Sequence, residues 1–278
     1  MVIGLDKISD KEFVRFCEFV YKRCGISLSE NKRDLVHSRL AKRLRSLGLD
    51  NYDDYFKLLY EGPDNEVEIV NLLDAISTNV TYFFREDKHF DFLVSTFIPE
   101  LEAAKKREHG KKIRIWSAGC STGEEPYSLA ITFAENIALA DHDFRILATD
   151  LSTNVLAHAR KGVYDKERLR NVSGNMLRKY FTGSRDGSRF KVDDKLAAYI
   201  KFARLNLMHA FPFKGHFDCI FCRNVMIYFD RPTQAELVNK FSAFLNPGGY
   251  LMIGHSESLT NVEHNLIYVQ PSLYRKKG

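Results

Sequence analysis

Glycines and glutamates follow the end of one short apolar run, a common setting for ligand binding. Residues 113–117 (Ile-Arg-Ile-Trp-Ser) favour a strand, and a turn with Gly119 and Gly123 leads into a helix that opens with Glu124 and Glu125. In open α/β sheets, nucleotide-like ligands bind beyond the carboxyl ends of the strands. The turn lacks the G-x-G-x-x-G pattern of dinucleotide sites, and the glutamates would repel a pyrophosphate. A ligand that carries a sulfonium cation and no phosphate fits this charge better.

A further carboxylate, Asp150, ends the next apolar run, residues 144–149. An acidic side chain at the end of a second strand is well placed to accept hydrogen bonds from both hydroxyls of a ribose. The alternative is that Asp150 caps the helix that follows, although Ser152 or Thr153 could serve there. We expect the ribose contact.

The elements that position these residues alternate between strand and helix from about residue 88 onward, which favours a parallel sheet covered by helices on both faces. The fold class is therefore α/β, Rossmann-like, with a small antiparallel β insertion at about 179–206. We expect strands at 113–117, 144–149, 218–222 and 250–254, helices at 88–108, 125–137, 154–161 and 232–245, and short insertion strands at 190–192 and 199–203. Pro247-Gly248-Gly249 should stop the last helix, and residues 267–274 should pair with the final strand as a reversed hairpin, as in methyltransferase sheets.

Residues 1–76 indicate a separate all-helical domain, joined by a linker at 77–88 to a second domain at 89–278. Ser9 and Glu12 have the spacing of a capping box, and further helices are expected at 29–47, 50–60 and 66–76. The helix at 29–47 carries an apolar stripe and many cations on its other faces. These cations form either a solvated surface or a docking face for an acidic partner. The cations are Lys32, Arg33, Arg39, Lys42, Arg43 and Arg45.

Composition limits the class of protein. The net charge of +5 is too small by itself to indicate nucleic acid, and no run approaches the roughly 18 apolar residues of a membrane-spanning helix. Early charges at Asp6, Lys7 and Asp10 argue against a secretory signal, so we expect a cytoplasmic protein with no membrane insertion. Cys219 and Cys222 have the spacing of a zinc or redox pair, but they lie in an apolar run and we expect them to be buried. We expect no metal site.

Four motifs in order resemble the chemotaxis receptor glutamate O-methyltransferases, the CheR family. They are residues 79–86 (NVTYFFRE), 120–128 (CSTGEEPYS), 222–229 (CRNVMIYF) and 254–258 (GHSES), and the likeness covers nearly the whole chain. The resemblance implies a cofactor, S-adenosyl-L-methionine, with S-adenosyl-L-homocysteine as product. It also implies methyl esterification of glutamate side chains on the cytoplasmic signalling helices of chemoreceptors, for adaptation in bacterial chemotaxis.

The resemblance also implies roles for individual residues. Arg85 and Tyr228 are expected to shape the methyl-transfer site, Asp150 to contact the ribose, and the basic helix to dock on the receptor. The expected cofactor contacts are Asn79, Thr81, Arg85, Gly119, Glu125, Asp150, Asn206, Leu207, Arg223 and Asn224; the expected docking residues are Lys32, Arg39, Lys42, Arg43 and Arg45. In some members the insertion binds a peptide at the receptor's C-terminus. Here its loop at 183–187 is compact, which disfavours such a tether.

Two other functions share part of this pattern. A nucleic-acid methyltransferase would use the same cofactor fold, but residues 222–225 (Cys-Arg-Asn-Val) replace the Asn/Asp-Pro-Pro-aromatic motif of base-modifying enzymes. A non-catalytic cofactor-binding module is disfavoured by the intact acidic and arginine positions. We therefore expect a monomeric enzyme with no nucleic-acid partner.

Overall fold

The computed structural model describes residues 7–62, 65–77, 79–108 and 112–278. Its N-terminal part contains the helices α1 (Asp10–Cys24), α2 (Arg33–Leu47), α3 (Tyr52–Glu61) and α4 (Asn65–Ile76). Both hydrogen bonds of the Ser9–Glu12 capping box form at the start of α1, and Gly48 ends α2 in the left-handed conformation. A short 3₁₀ turn, Glu30–Lys32, precedes α2, so the helix begins later than the sequence predicts.

The helix expected at 88–108 is interrupted. It consists of α5 (Asp87–Phe92), a π-helical turn (Leu93–Phe97) and α6 (Ile98–Glu108). The π turn lies just before Pro99, which lacks the N–H that a continuous α-helix needs at this point.

Among the described residues, seven strands form one mixed sheet in the order β6-β2-β1-β7-β8-β10-β9. The pairs β1–β2, β2–β6, β1–β7 and β7–β8 are parallel, and β10 is antiparallel to both of its neighbours. The expected reversed hairpin is thus confirmed, although residues 267–274 divide into two strands. The strands are β1 (Lys112–Ala118), β2 (Asp143–Asp150), β6 (Ile200–Arg204), β7 (Phe217–Cys222), β8 (Leu245–Ile253), β9 (Ile267–Gln270) and β10 (Leu273–Arg275).

Helices cover the sheet and connect its strands. They are α7 (Glu124–Asn136), α8 (Thr153–Lys161), α9 (Gly174–Tyr180), α10 (Asp194–Ala197) and α11 (Arg231–Phe244). Cys219 and Cys222 are fully buried and belong to apolar clusters on opposite faces of β7. Burial raises the pKa of both thiols, so the expectation of buried cysteines is confirmed.

The antiparallel insertion has different bounds from those predicted. It is built from β3 (Val163–Asp165), β4 (Phe181–Gly183) and β5 (Arg189–Val192), in the order β3-β5-β4. The stretch 199–203, expected in the insertion, instead forms β6 and pairs in parallel with β2. Ile200 and Phe202 pack against the apolar cores of the main sheet, which favours pairing there.

The expected role of Pro247-Gly248-Gly249 was also wrong. α11 already ends at Phe244, and β8 begins with the next residue. The pairing of β7 with β8 shifts between the pairs Phe217–Leu245 and Cys219–Tyr250, so the three residues lie in an irregular start of the strand. Gly248 has a φ of 75°, which suits a residue without a side chain.

Candidate functional site

A cleft lies between the helical N-terminal part and the carboxyl ends of β1, β2 and β7. It encloses about 1240 Å³ of empty space that is partly open to solvent. The helical part contributes Cys24, Ile26, Leu28, Leu35 and Ile76 to the apolar wall. The cleft is therefore shared by both parts of the chain.

All of the residues predicted to contact the cofactor or to catalyse transfer line this one cleft. They are Asn79, Thr81, Arg85, Gly119, Glu125, Asp150, Asn206, Leu207, Arg223, Asn224 and Tyr228. Sequence positions 79 to 228 converge here because β1, β2 and β7 are parallel neighbours and end at the same edge of the sheet.

The Asp150 carboxylate is held at the end of β2 by backbone donors. Oδ2 accepts from the Ser121 N–H at 2.8 Å, and Oδ1 accepts from the Ser152 N–H at 2.9 Å. Burial raises the pKa of Asp150, and these two hydrogen bonds act in the opposite direction. Each oxygen retains acceptor capacity toward the cleft. The Ser152 hydroxyl accepts the Val155 N–H at the start of the next helix, so the alternative role for Asp150 is not needed.

The glycine turn after β1 brings the backbone close to the cleft. Gly119 has a φ of 85°, and a Cβ atom there would lie 2.3 Å from Cγ2 of Val225. The N–H groups of Gly119 and Cys120 both donate to the Thr149 carbonyl, at 2.8 and 2.9 Å. Only glycine fits this turn, which leaves open space in front of the strand ends.

A buried ion-pair network lies at the other end of the cleft. The Arg223 side chain, 2% exposed, reaches Glu86 Oε2 at 3.1 Å through Nη2 and Glu125 Oε2 at 3.2 Å through Nη1, and donates to the Arg85 carbonyl. Burial raises the pKa of Glu125, and Arg223 opposes this. Burial would also raise the pKa of Glu86, but Arg223 and Asn224 outweigh it and the pKa lies below its ordinary value. Two carboxylates thus share one guanidinium.

Arg85 and Tyr228 flank the mouth of the cleft. The Arg85 guanidinium donates to the Val80 carbonyl at 2.8 Å and lies 5.8 Å from the centre of the Tyr82 ring. The ammonium of Lys32 lies 5.1 Å from the centre of the Tyr228 ring. Lys32 was predicted as a docking residue, and the structure places it on the cleft wall.

Two asparagines hold loops of the site in place. Asn206 donates to the Arg23 carbonyl at 2.6 Å and accepts from the Met208 N–H at 3.0 Å. Asn224, with a φ of 58°, donates to Glu86 Oε1 at 3.3 Å.

The buried Glu257 carboxylate accepts the N–H groups of Asn224, Ile227 and Gly254 at 2.6–3.1 Å, which fixes the loop that carries Tyr228.

The basic helix α2 divides into two kinds of cation. Arg39, Lys42 and Arg45 are exposed along one side of the helix. Arg43 instead forms a two-pronged ion pair with Glu68 of α4, at 3.0 and 2.5 Å. Glu68 is 4% exposed and also accepts from Tyr55. Arg43 was predicted as a docking residue, and the structure places its guanidinium on this buried carboxylate.

A cluster of possible metal ligands lies beside the Arg223 network and was not predicted from the sequence. Glu86, His89 and His255 have ligand atoms within 4.8 Å of one another. Burial lowers the pKa of His89 to about 3, so this imidazole is neutral. Arg223 already neutralises Glu86 and would repel a second cation nearby. The charge of Arg223 therefore disfavours a metal ion at this cluster.

The cleft wall contributed by the helical part was not predicted from the sequence. Lys32 was predicted only as a docking residue and Ile76 only as the end of a domain, and Leu28 and Leu35 were not singled out. Glu86 is the last residue of the predicted motif 79–86, but it pairs with Arg223, which lies 137 positions later in the chain. The opposite charges in two separate motifs were the signal that could have indicated this pair.

The site geometry fits a cationic, phosphate-free nucleoside ligand, and comparisons with known proteins agree. Residues 79–274 match the family described as CheR methyltransferase, SAM binding domain, and residues 11–77 match CheR methyltransferase, all-alpha domain. The chain belongs to the CheR methyltransferase family. S-Adenosylmethionine is therefore its cofactor, and the all-helical domain followed by the methyltransferase sheet is the CheR fold.

Relatives match this CheR protein over nearly its whole length. A chemotaxis protein methyltransferase of Borreliella burgdorferi is 43% identical over 97% of this chain and 95% of its own. Those of Salmonella typhimurium and Escherichia coli are 42% and 41% identical over 92% and 96% of this chain, and 86% and 91% of their own. These matches support S-adenosylmethionine-dependent methylation in chemotaxis. Within the described part of the chain, no helix has the length and apolarity to span a membrane.

Proposed function

We propose that this protein is a cytoplasmic, monomeric enzyme that methyl-esterifies glutamate side chains on the cytoplasmic helices of chemoreceptors. The observation that carries the proposal is the shared cleft. Lys32 and Leu35, at the start of the basic α2 region, line the same cavity as Asp150 and Glu125 of the cofactor domain. A carboxylate delivered along α2 would thus arrive at the cofactor.

Several cleft residues would hold the cofactor. Asp150 has acceptor capacity for the ribose hydroxyls, and Asn206 with Leu207 would flank the adenine. In its ionised form, Glu125 places a negative charge on the cleft wall, which favours a sulfonium cation and disfavours a phosphate. Arg223 is committed to Glu86 and Glu125, so its role is to orient these carboxylates and the Arg85 backbone.

The chemistry requires little from the protein beyond alignment. Bound S-adenosylmethionine supplies a methyl group activated by its sulfonium. A glutamate side chain has an ordinary pKa near 4.3, so it is already an anion at neutral pH and needs no general base. Arg85 and Tyr228 would align the incoming carboxylate and exclude water from a pair of charges that neutralise as they react. Too strong a hold by Arg85 would stabilise the reactant, so placing the cofactor carboxylate is an equally suitable task.

The exposed face of α2 would dock on the receptor. Arg39, Lys42 and Arg45 follow one side of the helix away from the cleft, over a length of about 20 Å from Lys32. Glutamate-rich receptor helices would be attracted to this row of cations. The row also sets the direction in which a receptor helix would cross the cleft mouth.

Transfer of labelled methyl groups tests the proposal. The protein is incubated with S-adenosylmethionine labelled in the methyl group and with a receptor cytoplasmic domain. We expect label on the receptor that is released as methanol by mild base, as a carboxyl ester requires. Label that resists base would indicate N-methylation, and label on nucleic acid but not on the receptor would indicate another substrate; either result contradicts the proposal.

A further inference from the structure

Helix α8 follows Asp150 after Leu151 and Ser152, which we call the Asp150 loop. A carboxylate of the helical domain caps the start of this helix. Asp74, near the end of α4, accepts the Thr153 N–H at 2.8 Å and the Thr153 hydroxyl at 2.7 Å, and the Asn154 N–H at 3.3 Å. Thr153 is the first residue of α8. The positive N-terminal end of α8 thus meets a carboxylate that lies 79 positions earlier in the chain.

This cap lies one step from the candidate ribose contact. Ser152, which precedes Thr153, donates its N–H to Asp150 Oδ1 at 2.9 Å, and its own hydroxyl caps α8 more weakly, with the Val155 N–H at 3.4 Å. A shift of Thr153 would therefore move one of the two backbone donors that aim the Asp150 carboxylate. Asp74 restrains this segment from outside the sheet.

The same cap holds the cleft wall. Ile76, two residues after Asp74, lines the cleft, and Arg39 donates to the Ala75 carbonyl at 3.0 Å. The helical domain has other ties to the cofactor domain, such as the Ser27 N–H donating to the Tyr228 carbonyl at 2.8 Å. The hydrogen bonds of Asp74 differ from that one because their donors, Thr153 and Asn154, directly follow the Asp150 loop.

We propose that Asp74 is a positioning residue for the cofactor: by capping α8 it fixes the Asp150 loop and the Ile76 wall, so that cofactor affinity depends on the helical domain. This inference rests on the proposed contact of Asp150 with the ribose. Without the cap, the loop must be ordered when the cofactor binds, so the loss appears in binding and not in the transfer step.

Calorimetric titration of the full-length protein with S-adenosylhomocysteine tests the inference. Asp74→Ala should raise Kd by about fivefold, the scale of a lost helix cap. Asp74→Asn should be milder, because asparagine caps nearly as well as aspartate. Thr153→Val, which removes only the hydroxyl donor, should raise Kd by about twofold. Asp53→Ala, which removes an exposed carboxylate of the same domain, is the matched control and should leave Kd unchanged.

Kinetics separate positioning from a merely structural role. In Asp74→Ala, the KM for S-adenosylmethionine should rise in proportion to Kd, with kcat at saturating cofactor within about twofold of the parent. A lowered melting temperature with unchanged Kd and KM would overturn the inference. If the Asp74→Ala variant does not fold, the variants Asp74→Asn and Thr153→Val test the inference instead. A Kd equal to that of the parent protein in both variants would overturn the inference. Asp150→Ala tests the site itself: normal binding there would reject the proposed function instead.

Discussion

At the scale of single residues, the site combines carboxylates whose ionisation differs with their surroundings. Glu86 is kept ionised by Arg223, whereas burial raises the pKa values of Glu125 and Asp150. Two of the three carboxylates therefore take up a proton at a higher pH than exposed carboxylates do. This arrangement makes cofactor binding sensitive to pH.

The first prediction concerns that sensitivity at Asp150. In the proposed contact, the ionised carboxylate accepts hydrogen bonds from the ribose hydroxyls. A raised pKa means that it takes up a proton at a higher pH than an exposed aspartate, which titrates near 3.9. As the pH is lowered, the affinity for S-adenosylhomocysteine should therefore begin to fall at a higher pH than that at which an exposed aspartate titrates. Calorimetry across pH checks this. The Asp150→Asn variant should bind S-adenosylhomocysteine weakly, and its affinity should depend less on pH. An unchanged dependence of affinity on pH in this variant would contradict the assignment of Asp150 to the ribose.

The second prediction concerns Arg85. Arg85→Ala should reduce methyl transfer by at least about 100-fold, the effect of losing one charged contact to reacting groups. The fold should remain, because the guanidinium donates an exposed hydrogen bond to the Val80 carbonyl and lies over the half-buried Tyr82 ring, outside the apolar core. Arg170→Ala is the matched control, since Arg170 also lies over the Tyr82 ring, at 5.5 Å. Near-normal turnover in Arg85→Ala would show that another group performs this role.

At the scale of elements, α2 combines a structural cation with a surface row. Its inner side packs into the helical core, with Leu40 and Leu44 fully buried. Arg43 joins α2 to α4, and Arg39, Lys42 and Arg45 remain on the outside. The two groups of cations should therefore respond differently to substitution.

Arg43→Ala should destabilise the protein by about 3 kcal/mol, because it leaves the buried Glu68 carboxylate without its cation. Urea unfolding measures the loss. Arg45 lies two residues further along α2 and is exposed. Arg45→Ala should therefore change the free energy of unfolding by less than about 0.5 kcal/mol. Equal stability of the two variants would mean that the Arg43–Glu68 pair contributes nothing to the fold.

The double variant Lys42→Glu and Arg45→Glu should raise the KM for the receptor by about tenfold and reduce its dependence on salt, because the docking row changes sign. The Kd for S-adenosylhomocysteine should not change, since neither side chain lines the cleft. Lys57→Glu, on α3 of the same domain, is the control. An unchanged receptor KM in the double variant would place docking on another surface.

The elements also show what the sequence could predict. Strand ends at residues 118, 150 and 222 were expected close to where they lie, because apolar runs and turns mark them locally. Residues 199–203 were misplaced, since a five-residue strand carries no signal of which sheet it joins. The Arg43–Glu68 pair and the Asp74 cap connect distant positions, and neither spacing nor periodicity indicates such partners.

At the scale of the whole molecule, the cleft exists only because the two domains meet over the sheet edge. Every residue predicted to contact the cofactor lines the cleft, but other lining residues such as Phe90 and Leu205 were not predicted, and the wall formed by Cys24, Leu28 and Ile76 depends on how the domains pack. The proposed receptor docking on α2 and the cofactor site at the sheet would thus share one boundary. The whole chain, and not the sheet alone, forms the proposed active site.

A crystal structure of the protein with S-adenosylhomocysteine tests this central claim most directly. We expect the ribose hydroxyls within hydrogen-bond distance of the Asp150 carboxylate, and the sulfur at the end of the cleft flanked by Arg85 and Tyr228, open toward Lys32. A ligand bound elsewhere, or one with its sulfur turned away from Arg85 and Tyr228, would contradict the account.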